Sequence, residues 1–405
     1  MIIDRIIAKQ ILIASEAFKV ILLTGPRQVG KTTLLKKLSK GKRSYVTLDD
    51  LDTRILAQND PQLFIEQLEY PVLIDEVQYA PKLFSYIKMK VDEDQIPGQF
   101  WLTGSQQFAM MKNISDSLAG RVAIFDMLGI ANNEEEQNIT EYFLPSLEKL
   151  KKRQQHNKIL NVNKIFHKIW RGSFPDVVVN QGKNWERYYT SYLTSYTERD
   201  VRDYLRINDL ISFRKFLQIA ASRTAQVLNY NSMANDVGVT VPTLQSWLNI
   251  LIATGHVILL QPYFNNHSKR ALKSPKMHFL DTGLCCYLTG WLTAETAEKG
   301  AMSGALLESY VVSEVIKSYI NNGKKQPLYY YRDKEKQEVD LIITESGKIY
   351  PIEIKKSGTI SNLNFKDFSF LEKLHLELGH GSVICFTDKL RPISKDISAV
   401  PVGLI

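Results

Sequence analysis

The stretch FKVILLTGPRQVGKTTLL, Phe18–Leu35, decides the fold class. Val20–Leu23 is an unbroken apolar run, the loop after it is bounded by glycines, and Lys31 opens a helical pattern. A buried strand, a tight loop and a helix start are expected. Gly25–Thr32 reads GPRQVGKT and satisfies G-x-x-x-x-G-K-[ST] at every position. Gly25 and Gly30 let the backbone curl, so that successive N–H groups face one anion. The candidate nucleotide-binding residues are therefore Gly25, Pro26, Arg27, Gln28, Val29, Gly30, Lys31, Thr32 and Thr33. Lys31 places a point charge on β- and γ-phosphate oxygens, and the Thr32 hydroxyl ligates Mg²⁺. The helix that follows adds its positive end. ATP and Mg²⁺ are the implied ligands.

Outward from the loop, SYVTLDD (Ser44–Asp50), PVLIDEVQ (Pro71–Gln78), QFWLTGSQQ (Gln99–Gln107) and RVAIFDMLGI (Arg121–Ile130) read as further short strands with helical patterns between them. Such alternation predicts an α/β fold, a parallel sheet covered on both faces with its ligand at the carboxyl ends of the strands. Asp75 falls at one such end and suits the Mg²⁺ shell; Glu76 beside it suits the general base that activates the attacking water. Ser105 ends another strand on that edge, placed to sense the γ-phosphate. Arg121 and Arg199 are the candidate arginines against charge developing on the transferred phosphoryl group.

The 405-residue chain divides by pattern into a P-loop domain over 1–135, a helical region over 136–225, a winged helix-turn-helix over 226–295 and an α/β nuclease-like domain over 296–405. The first boundary follows from the polar NNEEEQ at 132–137. Asn229–Tyr263 has the cadence helix, glycine turn, helix, strand. Its second helix carries no Lys or Arg in TVPTLQSWLNIL, leaving Thr243, Gln245 and Ser246 to reach base edges. The stretch after it is basic: His267, Lys269, Arg270, Lys273 and Lys276 suit phosphate contacts. Double-stranded DNA bound with strong salt dependence and little sequence preference is one expectation, domain packing the other.

In VDLIITESGKIYPIEIKKS, Val339–Ser357, a Ser-Gly turn folds one strand on the next. Glu353 and Lys355 share a face two residues apart, and a hairpin brings Asp340 beside them. Two carboxylates and a lysine in that spacing spell a metal-dependent nuclease site, with Glu308 of the preceding helix completing the shell of a second Mg²⁺ or Mn²⁺. A salt-bridged amphipathic hairpin is the alternative.

Net charge is +8 and the pI about 9.0, a balance that favours polyanionic partners. No apolar run reaches the ~18–20 residues of a membrane span, and charges interrupt MIIDRIIAKQILIASEAF at the N-terminus, so no membrane partner is expected. Three cysteines, two of them adjacent, make neither a disulfide framework nor a zinc spacing, so a cytoplasmic location is expected.

In this order, ILLTGPRQVGKTTLL, LIDEVQ, LTGSQ, LAGR, YTERD, PKMHFLDTGL and EVDLIITESGKIYPIEIKKS resemble a bacterial and archaeal family. That family joins an AAA-type P-loop ATPase, related to the signal-transducing ATPases, to a C-terminal domain of uncharacterised function similar to the restriction-endonuclease-like fold. The resemblance covers nearly the whole chain and implies ATP binding and hydrolysis, but no established substrate. MLGIANNEEE departs from it, where a less polar join containing proline is expected. The expected function is a molecular switch coupling the ATPase to the winged-helix and nuclease-like parts, with a protein partner or a second copy of the chain as its target. An ATP-gated, metal-dependent DNA nuclease and a non-catalytic nucleotide-binding adaptor are the alternatives.

Overall fold

In the computed structural model, which describes residues 2–105, 118–138, 141–197, 201, 209–264, 274–335, 337–358 and 367–405, the first sheet is built around β1 (Val20–Thr24). It runs in the order β2 (Ser44–Thr47), β3 (Val72–Asp75), β4 (Phe100–Thr103), β1, β5 (Val122–Asp126), with every pairing parallel. Val20 stands level with both Phe100 and Val122, so the strands begin together and their carboxyl ends share one edge.

The apolar run of β1 is continuous because both faces are covered. Ile21 and Leu23 point into one core with Ile7 and Ile11 of the helix Ile7–Ala17 and Leu34 and Leu35 of the helix Lys31–Ser39. Val20 and Leu22 point into the other, against Leu83, Phe84, Ile87 and Val91 of the helix Leu83–Asp94. Alternate side chains of one strand thus serve two cores.

At NNEEEQ, where a boundary was expected, the first three residues are packed inside. Asn132, Asn133 and Glu134 are all buried in the helix Asn132–Glu135. Glu134 pairs with Arg5 at 3.0 Å, and Glu135 takes Arg171 at 2.7 Å and Lys168 at 2.6 Å. Burial alone would raise the Glu135 carboxyl, but Arg171 and Lys168 outweigh it and hold it at about 2. Polarity along the sequence signalled ion pairs here, not solvent.

Helices fill the region that follows, including Leu147–His156, Val162–Arg171, Pro175–Val179, Trp185–Ser195 and Leu210–Ser222. Next come Tyr230–Val237, a turn at Gly238 with φ 89°, and Val241–Ala253, in the predicted order. The hairpin after them, β7 (Val257–Pro262) and β8 (Lys276–Phe279), does not stand apart as a wing. β8 pairs with β6 (Gln226–Val227), and β7 runs parallel to β9 (Leu328–Arg332).

Through that pairing one ten-stranded sheet crosses the boundary expected at 295. From β9 it continues through β10 (Glu338–Glu345), β11 (Lys348–Ile354), β13 (Gly381–Cys385) and β15 (Ile397–Pro401), ends at β14 (Arg391–Pro392), and carries β12 (Glu377–Leu378) beside β11. The helix Ser303–Asn321, buried along most of its length, packs on this sheet and reaches back to the first domain. Glu314 Oε2 accepts from the Asn132 N–H at 2.7 Å, and Lys317 Nζ donates to the Ile130 carbonyl at 3.3 Å. No described helix is long and apolar enough to cross a membrane.

Candidate functional site

The loop after β1 adopts the conformation its glycines were read for. Gly25 has φ 136° and Gly30 φ 93°. A Cβ on Gly25 would lie 2.1 Å from the Met127 carbonyl oxygen, so no other residue fits there. Lys31 is 6% exposed, and its Nζ donates to the loop's own Gly25 and Pro26 carbonyls at 2.9 and 2.7 Å. The ammonium is already inside the cradle formed by Gly25 to Gly30.

Parallel strands of matched length bring the partners to the same edge. Thr32 Oγ1 donates to Asp75 Oδ1 at 2.7 Å, joining the loop to the tip of β3. Thr103 at the tip of β4 donates to the same oxygen, and the Tyr45 hydroxyl donates to Oδ2 at 3.1 Å. Burial, and then the Asp75 charge, push the Tyr45 phenol up to about 12, so it stays a donor. A threonine hydroxyl hydrogen-bonded to a buried carboxylate is a donor set that fits Mg²⁺. Glu76, in the left-handed region at φ 58°, turns away from the strand, and Gln78 Nε2 donates both to its Oε2 and to Ser105 Oγ, the latter at 3.1 Å. Lys31, Thr32, Asp75, Glu76 and Ser105 therefore form one constellation across three adjacent strands.

Arg121 does not join it. It precedes β5 and sits level with the start of β1, at the opposite end of the sheet, where its Nη2 donates to Asp92 Oδ2 at 2.8 Å. That salt bridge fixes it away from its own chain's loop. Arg199 lies outside the described residues.

A cavity of about 770 Å³ adjoins the loop, in the size range of small-molecule sites. Val29, Gly30, Thr33, Leu34 and Lys37 form one wall, Ile2–Ile6 another, and Met127, Ile130, Pro175 and Val179 close it. Arg5 pins the second wall: it donates to the carbonyls of Val29 (3.1 Å), Leu128 (2.7 Å) and Gly129 (3.2 Å) while paired to Glu134. Sequence reading missed this cavity, because its walls come from segments up to about 320 positions apart, Ile2 to Asn322, and missed Arg5, an unremarkable arginine in an amphipathic stretch. Thr103 was within reach: it ends the strand that Ser105 was read from.

The second predicted site converges in part. The turn Ser346-Gly347, at φ 51° and 80°, makes the hairpin, and its register, Leu341 opposite Ile352, continues to set Asp340 beside Glu353. A bulge between Val339 and Ile342 re-aims Asp340. Asp340 Oδ2 accepts the Ile354 N–H at 2.8 Å, and Lys355 pairs with Glu353 at 2.6 Å. Glu308 joins them from its helix, but through a lysine the metal reading did not contain. Lys276 Nζ lies 2.6 Å from Glu308, 3.0 Å from Glu338 and 3.6 Å from Asp340. Among the described residues no group of three His, Cys, Asp or Glu side chains is arranged to hold a metal ion, so the second Mg²⁺ or Mn²⁺ finds no site in this geometry. Burial first, and the Asp340 charge second, push Glu308 up to about 8 and Glu353 to about 7. Lys276 acts against this on Glu308, but burial and Asp340 prevail.

The expected DNA contacts separate. Lys269, Arg270, Lys273 and His267 lie outside the described residues, whereas Lys276 is 3% exposed and ion-paired, unavailable to a phosphate. Gln245 and Ser246 are exposed on their helix; the Thr243 hydroxyl is engaged with Thr240 at 2.9 Å.

The chain is 27% identical over 390 residues to two uncharacterized proteins, of Mycobacterium bovis and Mycobacterium tuberculosis, covering 95% of this chain and 80% of theirs. Solved structures similar to it include a Walker-type ATPase of Pyrococcus abyssi (13% identity, TM-score 0.41, 71% of this chain and 96% of that one). Another is the RuvB Holliday junction branch migration motor of Thermotoga maritima (18% identity, TM-score 0.32, 62% and 88%). Residues 162–295 and 303–405 match two domains of unknown function, DUF8612 and DUF4143. Residues 17–135 match the AAA domain family, and their five-stranded parallel sheet, glycine loop and Asp75–Glu76 pair fit a P-loop ATPase domain.

Proposed function

We propose that this chain binds and hydrolyses ATP with Mg²⁺ and works as a nucleotide-driven switch. The observation that carries the reading is the meeting of Lys31, Thr32, Asp75 and Glu76 on one sheet edge, beside a cavity with room for a nucleoside. The loop amides and Lys31 hold the phosphates, the ammonium exchanging its two loop carbonyls for phosphate oxygens. Thr32 and Asp75 hold Mg²⁺, which neutralises charge on the β- and γ-oxygens when bound. The base and ribose enter the cavity against Thr33, Leu34 and the Ile2–Ile6 wall. Glu76 takes a proton from the attacking water, and Gln78 and Ser105 set the carboxylate's position. The switch reading rests on what touches the site: Gly255, after the helix Val241–Ala253, abuts Pro26 of the loop, and Glu314 and Lys317 grip the segment that follows β5.

Equilibrium binding of a fluorescent ATP analogue, together with phosphate release, tests this. Lys31→Ala is expected to lose tight binding; unchanged affinity would remove the site assignment. Glu76→Gln is expected to keep ATP bound and slow turnover by ~10²–10⁴-fold, the usual loss of a general base. Binding without any phosphate release in the unaltered chain would make it a nucleotide-binding adaptor instead.

A further inference from the structure

The carboxylate cluster of the C-terminal region is filled by a cation from elsewhere in the chain. Glu308 comes from the helix Ser303–Asn321, Glu338 and Asp340 from β10, and Glu353 from the end of β11. Lys276 comes from β8, on the far side of β7 and β9 in the sheet order, and it is 3% exposed. Its ammonium sits 2.6 Å from Glu308 and 3.0 Å from Glu338. Those are hydrogen-bonding separations, wider than the ~2.0–2.1 Å that Mg²⁺ demands of oxygen ligands. The carboxylates are thus spread around a nitrogen, and the position between them is taken. His278, two residues along β8, is wholly buried; its Nδ1 meets Ser309 Oγ at 3.2 Å. Its Nε2 has no hydrogen-bond partner among the described residues and stands 3.8 Å from Glu308 Oε1. A ring nitrogen left open towards a carboxylate cluster is a ligand atom without a ligand.

We propose that Lys276 is an internal cation that closes this cluster to divalent metal ions, so that the cluster becomes a metal site only when the lysine is removed from it. Two positive charges cannot share the space: a divalent ion would compete for the Glu308 and Glu338 oxygens that the ammonium already holds, and would be repelled by it at close range. Because β8 is held by β6 and β7, the lysine leaves only with its strand. The contact is autoinhibitory in form. A metal site at Glu308, Asp340 and Glu353 would open only on the parting of the β7–β8 hairpin from β9.

Mn²⁺ titrated into the full chain without nucleotide, with free Mn²⁺ read by electron paramagnetic resonance, tests this. The unaltered chain and Asp340→Asn are expected to take up Mn²⁺ equally. A site present in the unaltered chain and lost in Asp340→Asn would overturn the proposal, and this comparison needs no change at Lys276. Lys276→Gln, which keeps N–H donors on a side chain one atom shorter while removing the charge, is expected to gain one Mn²⁺ per chain, and Lys276→Gln with Asp340→Asn to lose it. Lys276→Arg, still cationic, is expected to gain none. A folded Lys276→Gln chain, judged by circular dichroism, that gains no Mn²⁺ would equally overturn it.

Discussion

Glu308 and Glu353 are part-buried acids whose folded state holds protons that the unfolded chain releases, with midpoints raised from the usual carboxylate value to about 8 and about 7. A raised carboxyl binds more protons folded than unfolded between the two values, so stability falls as pH rises through that window. Urea midpoints measured from pH 5 to 8.5 are expected to drop across it, with a slope of up to ~1.4 kcal/mol per pH unit for each such group. Glu308→Gln carries no such proton and is expected to flatten the profile in its upper part; an unchanged slope would mean that Glu308 is ionised when folded. The protein's most informative lysine, Lys276, was read from its neighbours as a phosphate contact. Only the fold could correct that, because a basic stretch looks the same whether its lysines face water or three carboxylates.

At the scale of elements, two glycines separate the effects of strain and contact. Gly238 and Gly255 both have positive φ, 89° and 71°, so Ala at either costs roughly 1–2 kcal/mol of backbone strain. Gly238 has open space around it, whereas a Cβ on Gly255 would lie 2.9 Å from Pro26 Cγ. Both variants are therefore expected to lower the unfolding temperature by similar amounts, while only Gly255→Ala weakens ATP-analogue binding, several-fold. Equal affinities in the two variants would mean that the turn after Val241–Ala253 does not steady the loop. The elements themselves were legible. The apolar runs of β1, β3 and β4, the P-loop, the two helices around Gly238 and the Ser346-Gly347 hairpin all appear where periodicity and turn chemistry placed them. What periodicity lacks is a long-range address. It marked β7 as a strand without saying that its neighbour would be β9. Arg121 is different: the sequence already put it at the amino end of its strand, away from the phosphate edge, and the role assigned to it ignored that.

For the molecule as a whole, the β7–β9 pairing predicts how it unfolds. Val257–Pro262 and Leu328–Arg332 exchange backbone hydrogen bonds across the boundary that the pattern of elements suggested, and the Lys276 ion pairs cross it as well. Amide exchange in β7, β8, β9 and β10 is expected to share one opening free energy, as strands of one cooperative unit do. A chain stopped at residue 295 would bare the edge of β7 and leave Lys276 buried without Glu308, Glu338 or Asp340, and is expected to be insoluble. A soluble, folded fragment, or β7 amides exchanging independently of β9, would contradict the shared sheet.

The shared sheet also limits how such a chain can be recombined. Modules that merely touch can be exchanged between genes at the linker, each bringing its own core. Here a graft made anywhere between β8 and β9 would have to import a matching strand edge, and acids to meet a buried lysine, at the same time. The hairpin of residues 257–279 and the strands after 328 are expected to be inherited together, and sequences related to this one to show Lys276 and Glu308 lost in step.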